Sequence, residues 1–489
     1  MRFTTFLIFA SFILASARAA DVPKDYLNVI IILADDLGYG DLHCYGHPTF
    51  KTPNLDRLAA EGARLTDFYS TCPYCAPSRA SLMTGRYQFR SGLTANPAPD
   101  VPNNPALDKI GLPDSEITLA QCFQRAGYAT CAVGKWHLGH QPQFFPTRRG
   151  FGEYLGILYS NDMRPVRLFD GDMIVEYPVV QSTLEKRYAA RACDFIKRHQ
   201  NSPFFLYVPG VMPHKPLAAS EVFYKKTGTN LYGDAVAELD WSVGQILSTL
   251  HDLDLDDKTL VLFTSDNGPW YGGSTAGLRG MKGNAWEGGI REPLIARWPG
   301  HIPRGLVSHE PAAMIDLFPT TLTATDHADL IPADRPIDGK VIMPLLTTES
   351  AKSPHDALFS MQGPRLTTIR SGPWKLFLQE RPNPRTMRPD EKWTDPRAPD
   401  GVTLVAPYEQ AHPSQYPGVL TGDDTHAGSL FNLEIDASEQ HDVSKDHPDI
   451  VQRLQAIADE MNKQVPQPAP PPAPNAKTKK AKARPSPAE

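Results

Sequence analysis

Apolar residues fall along this chain in short unbroken runs separated by amphipathic stretches. Residues 28–34 (Asn-Val-Ile-Ile-Ile-Leu-Ala) are continuous and β-branched, which predicts a central strand covered on both faces. Residues 128–133, 204–208, 260–264 and 294–297 read as further strands. Helical spacing lies between them, at 117–126, closed by Gly127, and at 229–253, with Ala235, Leu239, Val243 and Ile246 three and four apart. A shorter helix is predicted over 55–61 with Asn54 as its cap, and another over 315–322. Residues 150–162 read as loop-rich. From about Ala357 the pattern changes to short alternating strands at 357–361, 366–371 and 374–378, a segment Leu430-Phe431-Asn432-Leu433, and a helix over 449–463. Residues 380–428, rich in Pro, Asp and Gly, read as an irregular insertion. The expectation is an α/β chain: a large mixed, mostly parallel sheet sandwiched by helices over 21–350, then a smaller antiparallel-sheet subdomain over 351–465.

Four predicted strands run into polar residues at the edge where α/β sheets place ligands. They are Asp35-Asp36, Lys135-Trp136-His137, His214 between Pro213 and Pro216, and Ser265-Asp266-Asn267. Adjacent carboxylates at the end of a buried strand are costly without a compensating cation, and a divalent metal is the economical answer. A solvated Asp-Asp turn is the ordinary alternative, as a surface position is for each histidine.

The most pointed stretch is Cys75-Ala-Pro-Ser-Arg-Ala-Ser-Leu-Met-Thr-Gly-Arg86. Pro77 suits a first helical turn and Gly85 the left-handed position after the last one. Cys75 is therefore expected at a helix N-terminus, where free N–H groups favour an anion and Arg79, one turn on, adds a cation. Cys72 and Cys75 also make a Cys-x-x-Cys pair, which suits a redox couple or half a zinc site, and a buried inert thiol is the plain alternative. Zinc needs a second pair, and Cys44, Cys122, Cys131 and Cys193 form none.

Cys75-x-Pro77-Ser78-Arg79, continued through Thr84-Gly85-Arg86, resembles the signature of the type I sulfatases, in which that cysteine is oxidised by a maturation enzyme to formylglycine (3-oxoalanine). Gly38-Tyr39-Gly40-Asp41, the hexapeptide from Gly134 to Gly139, and residues 278–291 with Lys282 extend the likeness in family order from residue 28 to about 463. The match around Ser160-Asn161-Asp162, to the corresponding arylsulfatase segment, is looser. The resemblance implies an alkaline phosphatase-like fold and hydrolysis of sulfate monoesters, aryl sulfates in vitro and a sulfated carbohydrate naturally. It assigns Asp35, Asp36, Asp266, Asn267 and an oxygen of the modified residue 75 to a metal. That all-oxygen set suits calcium, and magnesium less well. Arg79, Lys135 and Lys282 would offset charge on the sulfate, and Ser160 would contact it. A hydroxyl of hydrated residue 75 would attack sulfur, His214 or Lys282 would protonate the leaving alcohol, and His137 would take the proton that lets sulfate depart. Residues near Ser160 and Trp270-Tyr271 would line the pocket mouth. The alternatives are a phosphonate or phosphodiester hydrolase of the same superfamily, and a sulfated-glycan-binding protein with Cys75 unmodified.

Composition adds bounds. At 489 residues, 41% hydrophobic and 21% charged, the chain is long enough for a large core, and its formal charge of −6 gives no basic footprint for nucleic acid. Residues 1–20 read as a secretory signal, with Arg2, an apolar run from Phe6 to Leu14 and Ala17-Arg18-Ala19, which predicts export to a periplasm or the exterior. No later run is long and apolar enough for an integral membrane segment. One or two disulfides among Cys44, Cys72, Cys122, Cys131 and Cys193 are left open. Residues 466–489, rich in Pro, Ala and Lys, read as a disordered tail.

Overall fold

The computed structural model describes residues 26–99, 104–163, 165–270, 272–379 and 421–466. The signal segment, Tyr271, residues 380–420 of the insertion and the tail from 467 lie outside the described residues.

The strands of the main sheet are β1 (Asn28–Ala34), β2 (Ala63–Tyr69), β3 (Ala129–Lys135), β4 (Glu153–Ile157), β5 (Leu168–Asp170), β6 (Met173–Glu176), β7 (Phe204–Pro209), β8 (Thr259–Ser265), β9 (Arg291–Arg297), β10 (Leu306–Ser308) and β11 (Ala312–Ala313). They lie in the order β10-β2-β9-β8-β1-β7-β3-β4-β5-β6, with β11 beside β2. The block β8-β1-β7-β3-β4 is parallel throughout, whereas β9 and the β5–β6 hairpin run antiparallel to their neighbours. The longest apolar run, β1, sits inside that block and is buried at every position. The expected mixed, mostly parallel sheet is present. In the Leu231–Asp252 helix, Ala235, Leu239, Val243 and Ile246 are all buried, and the helix packs on the Leu184–Arg198 helix.

A separate antiparallel sheet holds β12 (Leu358–Gln362), β13 (Arg365–Ser371), β14 (Trp374–Phe377) and β15 (Leu430–Asn432) in sequence order. The Pro448–Asn462 helix packs on β13 and β14.

Two expectations are corrected, and the open matter of disulfides is resolved. Residues 153–157 form a strand, β4, within the stretch that reads as loop. Its Gly156 is there for close approach, because a Cβ would lie 1.8 Å from the Gly134 carbonyl oxygen of β3. The first short helix runs from Pro53 to Ala60, and Asn54 lies inside it. Asp240, from the Leu231–Asp252 helix, accepts from the Asn54 and Leu55 N–H groups at 3.0 and 2.8 Å, so the cap comes from a distant element. All six cysteines are among the described residues, and no disulfide joins them. No helix among the described residues is long and apolar enough to cross a membrane.

Candidate active site

Parallel pairing of β8, β1, β7, β3 and β4 brings their carboxyl ends to one edge, and each delivers a polar group there. Asp266 and Asn267 follow β8, Asp35 and Asp36 follow β1, and His214 follows β7. Lys135 closes β3 with His137 just beyond, and Ser160 follows β4. Asp36 and His137 leave their strands in the left-handed region, at φ 62° and 59°, a cost of about 1–3 kcal/mol each that the surroundings must sustain.

Cys75 is the first residue of the Cys75–Thr84 helix, entered from extended Tyr74 and closed by Gly85 at φ 66°. Its Sγ lies 3.5 Å from Asp35 Oδ1, 3.5 Å from Lys135 Nζ and 3.4 Å from Lys282 Nζ. Lys135 also meets Asp35 Oδ2 at 2.6 Å and Ser160 Oγ at 3.1 Å. Lys282 meets Asp36 Oδ1 at 2.7 Å. Arg79 donates from Nε to Asp266 Oδ2 at 2.8 Å and from Nη1 to the Lys135 carbonyl at 2.5 Å. His214 Nδ1 lies 2.5 Å from the Lys215 carbonyl, which leaves Nε2 facing Ser160 Oγ at 3.5 Å and Asp36 Oδ2 at 3.6 Å. Asn267 joins them through Nδ2, which donates to Asp36 Oδ1 at 2.7 Å; His137 makes none of these contacts, its Nε2 lying 3.1 Å from the Pro97 carbonyl and its Nδ1 buried with no hydrogen-bond partner among the described residues.

Burial and charge pull the groups apart. Burial opposes ionisation of Asp35, but Lys135, His214, Arg79 and Lys282 outweigh it and hold the carboxyl well below its ordinary range. Asp36 and Asp266 are pushed up by burial, Asp266 to about 6 despite Arg79. Burial drives the Cys75 thiol to about 12 and, together with nearby lysines, holds the His137 and His214 imidazoles well below their usual value. A cavity of about 270 Å³ opens over Cys75, Ser160, His214 and Lys282, bounded by Tyr74 and Trp270. Asn96 also lines it and holds the helix start by accepting from Ala76 N–H at 3.0 Å. Nothing in the sequence marks Asn96, a lone amide in a loop.

The donor set fits a hard divalent cation. Donor atoms of Asp35, Asp36, Cys75 and His214 lie within 4.8 Å of one another, a group that does not include Asp266, whose Oδ1 accepts from the Asp36 N–H at 3.3 Å. Asn267 Oδ1 is buried with no hydrogen-bond partner among the described residues. Carboxyls raised by burial are short of positive charge, and carboxylate and amide oxygens are the ligands such ions take.

A cavity lined by Cys75, His214 and Lys282 at the carboxyl edge of this sheet is a setting suited to an anionic ester. The sulfatase family profile matches residues 27–327, and the chain belongs to the sulfatase family. It is 42% identical over 387 residues to N-acetylgalactosamine-6-sulfatase of Canis lupus familiaris, covering 74% of this chain and 73% of the relative. It is 41% identical over 381 residues to arylsulfatase A of Homo sapiens, covering 71% and 73%. A solved protein from a Bacteroides thetaiotaomicron locus for metabolism of multiple glycosaminoglycans superposes with a TM-score of 0.73 at 25% identity, over 90% of this chain and 100% of that one. The protein is a sulfuric ester hydrolase with an alkaline phosphatase-like fold.

Proposed function

We propose that this sulfatase hydrolyses sulfate monoesters of a carbohydrate, and small aryl sulfates as surrogates, at residue 75 after maturation of Cys75 to formylglycine. The observation that carries the reading is the placement of Cys75 between two lysines and Asp35, with its thiol pushed up to about 12 by burial. A thiol with that pKa is a poor nucleophile at neutral pH, so the bare cysteine is not suited to the work. Formylglycine supplies a hydrated aldehyde whose hydroxyl can attack sulfur, and a calcium ion held by Asp35, Asp36, Asp266 and Asn267 supplies fixed positive charge.

The chain's own residues do the rest. Arg79, Lys135 and Lys282 pair with the buried carboxylates and would oppose the charge of the sulfate oxygens. His214 Nε2 and Lys282 Nζ face the cavity where an alcohol would leave. His137 is kept neutral, the state in which an imidazole can accept a proton. Ser160, whose Oγ accepts from Lys135 Nζ, lines the same cavity, which supports a role for it as a contact to a sulfate oxygen. The sugar preference is supported by the names of the amino-sugar sulfatase relative and of the glycosaminoglycan-locus protein. The reading further includes export through residues 1–20, a maturation enzyme as partner, and a division of the chain near residue 350.

The test is the mass of the tryptic peptide spanning residue 75, from protein co-expressed with a maturation enzyme. A decrease of about 18 Da is expected for thiol to aldehyde. The matured enzyme should turn over aryl sulfates faster than aryl phosphodiesters. An unmodified thiol, or the reverse preference, would overturn the reading.

A further inference from the structure

We propose that Glu439 and Lys375 are positioning residues for the reaction. They belong to the segment around the four-stranded sheet, and they clamp the loop of residues 279–291 so that Lys282 reaches Cys75 and Asp36. The proposal rests on the role given to Lys282 above and concerns residues that touch neither the cavity nor any reacting atom.

Residues 279–291 close on themselves through Gly288 N–H to the Arg279 carbonyl at 2.7 Å and Asn284 N–H to the Met281 carbonyl at 3.0 Å, and Gln362 of β12 donates to the Gly283 carbonyl, but little regular structure lies between those bonds. These residues include Gly280, Gly283, Gly288 and Gly289, of which Gly280 and Gly283 take positive φ, and the only helix is the single turn Glu287–Ile290. Such a segment loses much conformational freedom when ordered, so something must hold it. Within the main sheet's own connections, Lys282 N–H donates to the Pro269 carbonyl and Gly283 N–H to the Pro73 carbonyl, at 2.9 and 2.8 Å.

The stronger anchors come from the other side, and they flank Lys282. Three residues before it, Arg279 donates to the carbonyls of Glu439 and Asp423, both at 2.9 Å, while its guanidinium lies over the Trp286 ring. Four residues after it, Trp286 is buried with Phe377, Phe431 and Leu433 and donates from Nε1 to Thr425 Oγ1 at 3.1 Å. Five residues after it, the Glu287 N–H donates to Glu439 Oε2 at 2.6 Å. Lys375 Nζ bridges Glu287 Oε1 and Glu439 Oε1, each at 2.9 Å, with all three side chains at 1% exposure or less. Glu439 thus meets both flanks of the loop, Arg279 through its backbone carbonyl and Glu287 through its carboxylate, and Lys375 of β14 holds that carboxylate and Glu287 together. The Lys282 tip they steady makes contacts of 2.7 and 3.4 Å. A displacement of about 1 Å there can cost on the order of 100-fold in rate.

The experiment is a double-mutant cycle on the matured enzyme. Glu439→Ala should lower kcat about 10–100-fold with little change in KM, and Glu439→Gln, which keeps an acceptor for the Glu287 N–H, should recover most of it. In a Lys282→Ala background Glu439→Ala should add no further loss of kcat. An equal fold-loss in both backgrounds would overturn the proposal, since a general structural role is additive. Amide hydrogen exchange supplies a readout independent of turnover: residues 280–288 should exchange at least about tenfold faster in Glu439→Ala while β1 stays protected. Unchanged exchange would remove the clamp. A harmless Lys282→Ala would instead refute the role given to that lysine, with the exchange result still deciding the clamp. Should Glu439→Ala fail to fold, Lys375→Arg carries the same cycle.

Discussion

Two buried charge clusters in this protein have the same inventory and opposite characters. At the strand ends, Asp35, Asp36 and Asp266 face Arg79, Lys135 and Lys282. Behind the 279–291 loop, Asp67, Glu287 and Glu439 face Arg291, Arg370 and Lys375. Each has three acids and three bases, so charge parity does not tell a functional cluster from a structural one. Access does. Each cluster holds one carboxyl well down, Asp35 in the first and Glu287, met by Lys375, Arg291 and Tyr69, at about 2 in the second, and each holds others raised by burial, Asp36 and Asp266 in the first and Glu439 in the second. Beside the first, a cavity opens over Cys75, His214 and Lys282. A cluster open to a ligand is one arranged to receive charge.

The sharpest way to separate the two is Cys75→Ser, which leaves both ion networks intact. Multiple turnover of aryl sulfate should vanish while Tm stays within about 2 °C, because a serine lacks the second hydroxyl needed to expel sulfate; retained turnover would refute the mechanism. Lys375→Met strikes the closed cluster, leaving buried Glu439 without its cation and Glu287 with Arg291 and Tyr69 alone, and should cost about 3–5 kcal/mol in denaturant unfolding. Asp266→Asn strikes the open one. It should weaken divalent-cation affinity by about 100-fold in calorimetry, yet cost little stability without metal, since it removes one of the under-compensated charges.

The smallest effect is a slope. Glu439 shares Lys375 with Glu287, and burial pushes its carboxyl up from 4.5 to about 7. A raised carboxyl contributes fully below pH 4.5 and loses that contribution as pH rises through about 7, whereas lowered Glu287 acts in the opposite sense, losing its contribution as pH falls toward about 2. Glu439→Gln should therefore flatten the fall in stability between pH 4.5 and 7 by about 1–2 kcal/mol, and an unaltered pH profile would show that Glu439 does not titrate there.

The open cluster was legible in the sequence because its members sit at punctuation marks. Asp35-Asp36 and Asp266-Asn267 end apolar runs, and Pro77 and Gly85 bracket the helix that carries Cys75. The closed cluster was not. Lys375 lies in an alternating strand where a lysine reads as solvent-facing, and its partner Glu287 is 88 positions away. The same limit hid β4, whose Gly156 answers to the backbone of β3, and the cap of the Pro53–Ala60 helix, supplied by Asp240 from 185 positions on. Features set by one segment's own composition can be read in advance, and features set by a distant partner cannot.

The bond from Glu287 N–H to Glu439 spans 152 positions. A growing polypeptide emerges in order, so the signature cysteine, the acidic strand ends and Lys282 all exist long before the residues that steady the lysine. The main-sheet strands are made first, and the geometry around Lys282 waits for a stretch made well after them. A reading-frame loss between residues 314 and 439 would leave Cys75, its acidic neighbours and Lys282 encoded, with the lysine arm unmoored.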